Sequence, residues 1–197
     1  GLRHTYENAH DVIVRDDAVI AAVELSERYI TGRQLPDKAV DLLDTAAARV
    51  RIEQDAPPAQ LTQLRSELAS VERELTARRR DIDDAAAKDD GKPAELQARI
   101  EQIQAEMGQL EQKLAAEKDA IARLKHALTQ LREAEDNNRA ERVSAVEAAR
   151  ASLAEVCGET PLVHAEVDRD SIGQVVADWT GIPVGKMKAG SIEVVLE

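Results

Sequence analysis

The chain has 197 residues, with 38 acidic side chains against 26 basic ones and a formal charge of -12. That balance argues against a nucleic-acid ligand, which needs a basic face to displace counterions. Aromatics are 2% and Phe is absent, so the core must be small and aliphatic, and the one cysteine, Cys157, excludes an internal disulfide and fits a reducing compartment.

Residues 1–55 read as a small helical unit. Asp16 is a candidate N-cap for a helix whose apolar face is Val19, Ile20, Val23 and Leu25 and which ends near Tyr29 and Ile30. Thr31-Gly32-Arg33-Gln34 breaks it. Pro36 suits a first helical position, where its missing N–H costs nothing, and Asp37 falls in the positive first turn. Ala39, Val40, Leu42, Leu43, Ala46, Ala47 and Val50 then make the buried face of a second helix. Lys38 reads as a surface charge.

Pro57-Pro58 ends that helix and opens another over 57–80, with Leu61, Leu64, Leu68, Val71 and Leu75 as a heptad seam. Arg78, Arg79 and Arg80 are followed at once by Asp81, Asp83 and Asp84, a self-compensating helix end. Gly91-Lys92-Pro93 stops and restarts the chain. A long helix over 93–135 carries the seam Leu96, Ile100, Ile103, Met107, Leu110, Leu114, Ile121, Leu124, Leu128 and Leu131, whose one irregular step runs from Leu114 to Ile121. After the turn Asp136-Asn137-Asn138, a third helix over 139–156 bears Val143, Val146, Leu153 and Val156.

The two flanking helices together are as long as the central one, so each can run antiparallel to one half of it. Pairing Leu75 with Leu96 and Leu131 with Val143 brings both connections out near the middle of the long helix. The result is a two-bladed propeller held at its waist, inserted in a domain that begins before it and resumes after it.

Past Pro161, Leu162-Val163-His164-Ala165-Glu166-Val167 alternates and is β-branched, which predicts a strand. Asp168 caps a short helix with Ile172, Val175 and Val176, ended by Trp179-Thr180-Gly181. Gly181-Ile182-Pro183-Val184-Gly185-Lys186 is a loop but not a phosphate loop: only three residues separate its first glycine from Gly185-Lys186, and Met187 follows instead of Ser or Thr. The four histidines, 4, 10, 126 and 164, lack paired ligand spacing, so no metal site is expected. The carboxylates are spread along helix exteriors and no catalytic centre is indicated. No run of about 18 apolar residues exists, and the first residues lack a basic-then-apolar signal pattern. Its start without Met and its unfinished apolar run Ile192-Glu193-Val194-Val195-Leu196 suggest a fragment of a longer protein.

Tyr29-Ile30-x-x-Arg33-Gln34-Leu35-Pro36-Asp37-Lys38-Ala39-Val40-Asp41-Leu42-Leu43-Asp44 closely resembles the end of the first AAA+ module in Clp-type ring ATPases. Tyr6-Glu7-x-x-His10 with Val12 and Ile13 resembles the start of that module's small lid domain, and Trp179-Thr180-Gly181-Ile182-Pro183-Val184 the linker that opens the second module. The coiled coil between them is similar to the middle domain of two-ring disaggregases. Within the family, Leu43-Asp44-Thr45-Ala46-Ala47-Ala48-Arg49-Val50, the short coil, Gly158-Glu159-Thr160-Pro161-Leu162-Val163, Val167-Asp168 and Val175-Val176-Ala177-Asp178-Trp179 resemble the ClpV branch of bacterial type VI secretion, with ClpB-type disaggregases as the alternative.

The resemblance implies a mainly α fold: a lid domain over 1–56, an inserted antiparallel coiled-coil middle domain over 57–157, a return to the lid with a short strand and a helix over 158–178, and a linker from 179. It implies a cytoplasmic, bacterial parent that is a homohexamer, hydrolyses ATP and threads protein, with type VI sheath subunits as substrate and neither nucleic acid nor membrane as partner. Leu35, Pro36 and Asp37 would approach adenine and ribose in the first ring, and Ile182, Pro183 and Val184 would line the adenine pocket of the second. Without a phosphate loop or a Walker B acid, with Mg bound elsewhere in the parent, the fragment alone should be an inactive monomer with no nucleotide bound. The coil's charged outer face would touch the neighbouring subunit. A reading from a different class is a non-enzymatic coiled-coil interaction module.

Overall fold

In the computed structural model, which describes residues 2–32, 34–84, 88, 90–185 and 187, the elements run in the order α1 (Leu2–His10), β1 (Ile13–Val14), α2 (Asp16–Tyr29), α3 (Asp37–Asp55), α4 (Ala59–Asp83), α5 (Lys92–Arg132), α6 (Arg139–Cys157), β2 (Glu166–Val167) and α7 (Arg169–Thr180). The chain divides into two units: 1–56 with 164–197, and 57–163. Arg33, Lys186 and the run from Ile192 to Leu196 lie outside the described residues.

The first unit is built where α2, α3 and α7 pack on one another. Its core is small: Ala18, Ala21, Ala22 and Leu25 of α2, Leu42, Leu43, Ala46, Ala47 and Val50 of α3, and Ile172, Val175 and Val176 of α7. The alanines on these two facing helices let the backbones approach closely, and the aliphatic side chains of α7 fill the remaining space. β1 and β2 pair in parallel, Ile13 opposite Glu166 and Val14 opposite Val167. The buried Glu7 of α1 accepts the Val14 amide at 3.1 Å, tying the first helix to this pair.

Several expectations for this unit are corrected. Asp16 does not cap α2: the N-cap is Arg15, without a side-chain cap bond, and Asp16 lies in the first turn, where it pairs with Arg3. The buried face of α2 is its alanine stripe; of Val19, Ile20, Val23 and Leu25 only Leu25 is buried, while Ile20 is 55% and Val23 43% exposed. Both stripes recur at helical spacing, and close helix approach selects the smaller one. Pro36 stands one residue before α3, its carbonyl accepting the amides of Ala39 and Val40 at 3.0 and 3.1 Å. Lys38 is not a surface charge: it is buried, and its Nζ donates to the Ile30 carbonyl at 3.2 Å, at the negative end of α2.

The strand expected over 162–167 is two residues long. Side chains take the other backbone groups that a ladder would use: Gln54 Nε2 donates to the carbonyls of His164 and Ala165 at 2.8 and 3.2 Å. Asp168 does cap α7, accepting the Ser171 amide at 2.8 Å in a reciprocal capping box, and Gly181, at φ 73°, ends the helix in the left-handed conformation.

In the second unit α4 and α6 lie antiparallel along the two halves of α5. Arg79 reaches Gln97 at 3.3 Å and Arg65 reaches Glu111 at 3.1 Å on one side, and Arg142 bonds Gln130 on the other. Leu75, Leu96 and Ile100 form one cluster with Leu68 and Val71 beside it, which is the pairing the heptads predict. Leu61, Ile103, Ile121, Leu124, Val146 and Leu153 are buried as well, whereas Val143, expected in the seam, is 39% exposed near the start of α6. The basic cluster is compensated as expected, Arg80 lying 3.6 Å from Asp84 and Arg78 3.7 Å from Asp90.

Truncating the fully buried Leu42 to Ala is expected to cost about 2–5 kcal/mol, and Ile20→Ala less than about 0.5 kcal/mol; denaturant unfolding of the two variants checks which stripe of the first unit carries the packing. Across α3 and α7, Arg49 pairs with Asp178 at 2.6 Å, and this guanidinium, with Gln174, holds the exposed Asp178 carboxyl below its usual value of 3.8. A depressed folded value means the pair stabilises above the ordinary carboxylate range, and that contribution disappears as pH falls through the folded value. Asp178→Asn should therefore flatten the part of the acid-unfolding curve below about pH 4 and leave the curve above it parallel to that of the parent sequence.

Candidate nucleotide-facing surfaces

A cavity of about 210 Å³ opens in the first unit where the α2–α3 loop turns back onto α1 and α2. Leu35 and Pro36 form one wall, and Tyr6, Val19, Val23 and Val40 form the others. Val19 and Val23, two of the branched residues of α2 outside the buried core, thus line this slot, whereas Ile20 does not. Arg3 is the one charged lining residue, and its guanidinium is already held by Glu7 at 3.3 Å and by Asp16. The remaining surface is apolar and branched, suited to the face of a flat heteroaromatic ring. The volume is below the roughly 300 Å³ at which complete small-molecule pockets begin, so the slot fits a base better than a whole nucleotide. Asp37 is exposed at the start of α3 and is not among the residues that line the cavity.

The second expected set lies elsewhere. Ile182 is half-buried against the core of the first unit, and Pro183 is exposed. Val184 lines a separate cavity of about 260 Å³ with Arg49, Glu53, His164, Asp170 and Gln174. A Cβ placed on Gly173 would lie 3.4 Å from Val184 Cγ1, so Gly173 leaves the room that Val184 occupies. The two sets do not form one site: one borders the α2–α3 loop and the other the end of α7.

A third cavity, about 530 Å³, escapes sequence reading because its walls are far apart in the chain. It is lined by Thr31, Lys38, Asp41, Asp44, Thr45 and Trp179. Trp179 stays 48% exposed there, and His10, stacked on Tyr6, approaches Asp44 at 2.8 Å. The signal that could have pointed to it is Trp179 itself, a lone tryptophan in a chain almost free of aromatics.

Cys157 is a half-buried free thiol. Desolvation first, and the Glu117 charge second, push its thiol up from the ordinary value, against a smaller opposing effect of Lys113. Among the described residues no three His, Cys, Asp or Glu side chains gather as metal ligands, and no helix is long and apolar enough to cross a membrane.

Residues 1–94 match the family profile of the AAA lid domain. The chain is 54% identical over 74 residues, 38% of its length, to the chaperone protein ClpB of Bacteroides thetaiotaomicron, covering 9% of that protein. It is 37% identical over its whole length to the AAA+ ATPase ClpV1 of Pseudomonas aeruginosa, covering 24% of that protein. ClpB proteins, among them that of Propionibacterium freudenreichii at 36%, also align over the whole chain. Among solved structures, the Hsp104–ADP complex of Saccharomyces cerevisiae superposes on 94% of this chain and 29% of its own, with a TM-score of 0.64 and 26% identity. The chain spans about a quarter or less of the length of these curated relatives. Over its full length it is homologous to the AAA+ ATPase ClpV1 and the chaperone ClpB, and its residues 1–94 carry the match to the AAA lid domain.

Proposed function

We propose that these residues are the lid and regulatory arm of a hexameric Clp-type AAA+ ATPase that threads protein, and that the parent is of the ClpV kind, disassembling and recycling the contracted type VI secretion sheath in the bacterial cytoplasm. The observation that carries the ATPase part is the apolar slot walled by Leu35 and Pro36. It supports a division of labour in which the lid supplies a rigid face for adenine, Asp37 at its mouth accepts a ribose hydroxyl, and the phosphates and Mg are held by parts of the parent beyond these residues. Ile182, Pro183 and Val184 would serve the second ring in the same way. Alone, the 197 residues have no phosphate loop, so no hydrolysis is assigned to them.

The charged outer faces of the coil are the surface that would touch a neighbouring subunit and bias its ATPase state. Whole-chain similarity to ClpV1 and the ClpV-like run from Leu43 to Val50 support the sheath reading. A second reading, a ClpB-type disaggregase, is favoured by the 54% identity to ClpB over 74 residues.

In the full parent hexamer, Leu35→Asp and Asp37→Ala are each expected to weaken binding of a fluorescent ATP analogue about ten-fold, a change of about 1.4 kcal/mol. Unaltered affinity in both variants would remove the adenine assignment. Incubating the parent with contracted sheath tubules and, separately, with heat-aggregated protein distinguishes the branches. The ClpV reading expects ATP-dependent loss of tubules with the aggregates untouched, and the ClpB reading expects the reverse.

A further inference from the structure

The seam of α5 advances by alternating four- and three-residue steps, and the position it misses between Leu114 and Ile121 is 117, which holds a glutamate. Glu117 is fully buried in that seam. Its Oε2 accepts the backbone amides of Leu162 at 2.8 Å and Val163 at 3.3 Å. One turn earlier, Lys113 Nζ lies 3.7 Å from Glu117 Oε1 and donates to the Thr160 carbonyl at 2.7 Å. Among the described residues, Glu117 Oε1 itself has no hydrogen-bond partner. All of these contacts converge on 160–163, the segment by which the chain leaves the second unit.

A carboxylate is a poor choice for packing at such a position. Its desolvation is costly even when it is partly paired, and a polar seam residue sets register at the expense of stability. Leucine would complete the apolar run. What leucine lacks is an acceptor, and Leu162 and Val163 stand at a bend outside β2, where among the described residues their amides bond only Glu117. The charge-assisted bonds to these two amides are the gain that offsets the loss in the seam.

We propose that Glu117, assisted by Lys113, is a latch that fixes where the chain leaves the coiled coil, and that this latch is separable from the packing of the coil. The three helices of the second unit would stay together without it, but 160–163 would no longer be held to the middle of α5.

Amide hydrogen exchange on E117L in the 197-residue chain tests this. Exchange at Leu162 and Val163 should accelerate about ten-fold or more, while Ile103 and Leu124 keep their protection and the melting temperature of the helices is unchanged or raised. Unchanged exchange at 162 and 163 would overturn the latch. So would loss of protection at Ile103 and Leu124 together with 162 and 163, because Glu117 would then be an ordinary part of the seam. If E117L fails to fold, E117M, which is unbranched and likewise lacks an oxygen acceptor, decides by the same readout: acceleration confined to 162 and 163 supports the latch, and uniform or absent acceleration overturns it.

Discussion

A single apolar seam on a 41-residue helix has to be covered, and the second unit is organised by that constraint. At about 1.5 Å per residue α5 runs for about 60 Å, further than one short partner can follow. Two helices, α4 and α6, share the task, each taking one half in the opposite direction. The place where their coverage changes over is the middle of α5, and there the seam carries a glutamate in place of a leucine. The chain returns from α6 past that point, and the amides of Leu162 and Val163 donate to the buried carboxylate. Hydrophobic coverage sets the arrangement of the helices, and one charge-assisted contact sets where the exit runs.

The first unit answers a different constraint, the scarcity of large apolar residues. Without Phe, its core relies on alanine faces of α2 and α3 that pack closely, with Leu42, Val50, Ile172, Val175 and Val176 filling the space between. Close packing on one face of α2 leaves its branched residues on another, where Val19 and Val23 line the slot beside Leu35 and Pro36. The economy of the core and the apolar character of the proposed adenine-facing surface thus have one origin. Buried polar groups in this unit are tied to backbone: Glu7 to the Val14 amide, Lys38 to the Ile30 carbonyl and Gln54 to those of His164 and Ala165. Each fixes a loop or a strand end that the small sheet is too short to hold.

The existence of α2 to α7 and the pairing of the coil were legible in the sequence because both rest on periodicity, whereas α1 was not read from it. Leu75 against Leu96 and Ile100 follows from counting heptads, and the Asp168 cap and the Gly181 stop follow from local backbone chemistry. The family likeness was legible as well, from Leu35-Pro36-Asp37 and Trp179-Thr180-Gly181-Ile182-Pro183 in their order along the chain. Periodicity could not choose between two stripes of α2 that are equally well spaced, since that choice depends on how near α3 and α7 come. It also could not foresee that Ile13 and Val14 would pair with Glu166 and Val167, residues about 150 positions away, in strands too short to show alternation.

Sequence by itself determined the long seam, its missing apolar position between Leu114 and Ile121 and the excess of acid, because these are properties of spacing and composition. Only the tertiary structure decided what that missing position is for. The amides that Glu117 receives lie 45 and 46 residues further along the chain, and a contact between residues so far apart leaves no local pattern. The same holds for the slot, whose walls come from three helices and a loop. Local physics writes the helices into the sequence, whereas sites made by bringing distant segments together are fixed only once those helices have packed.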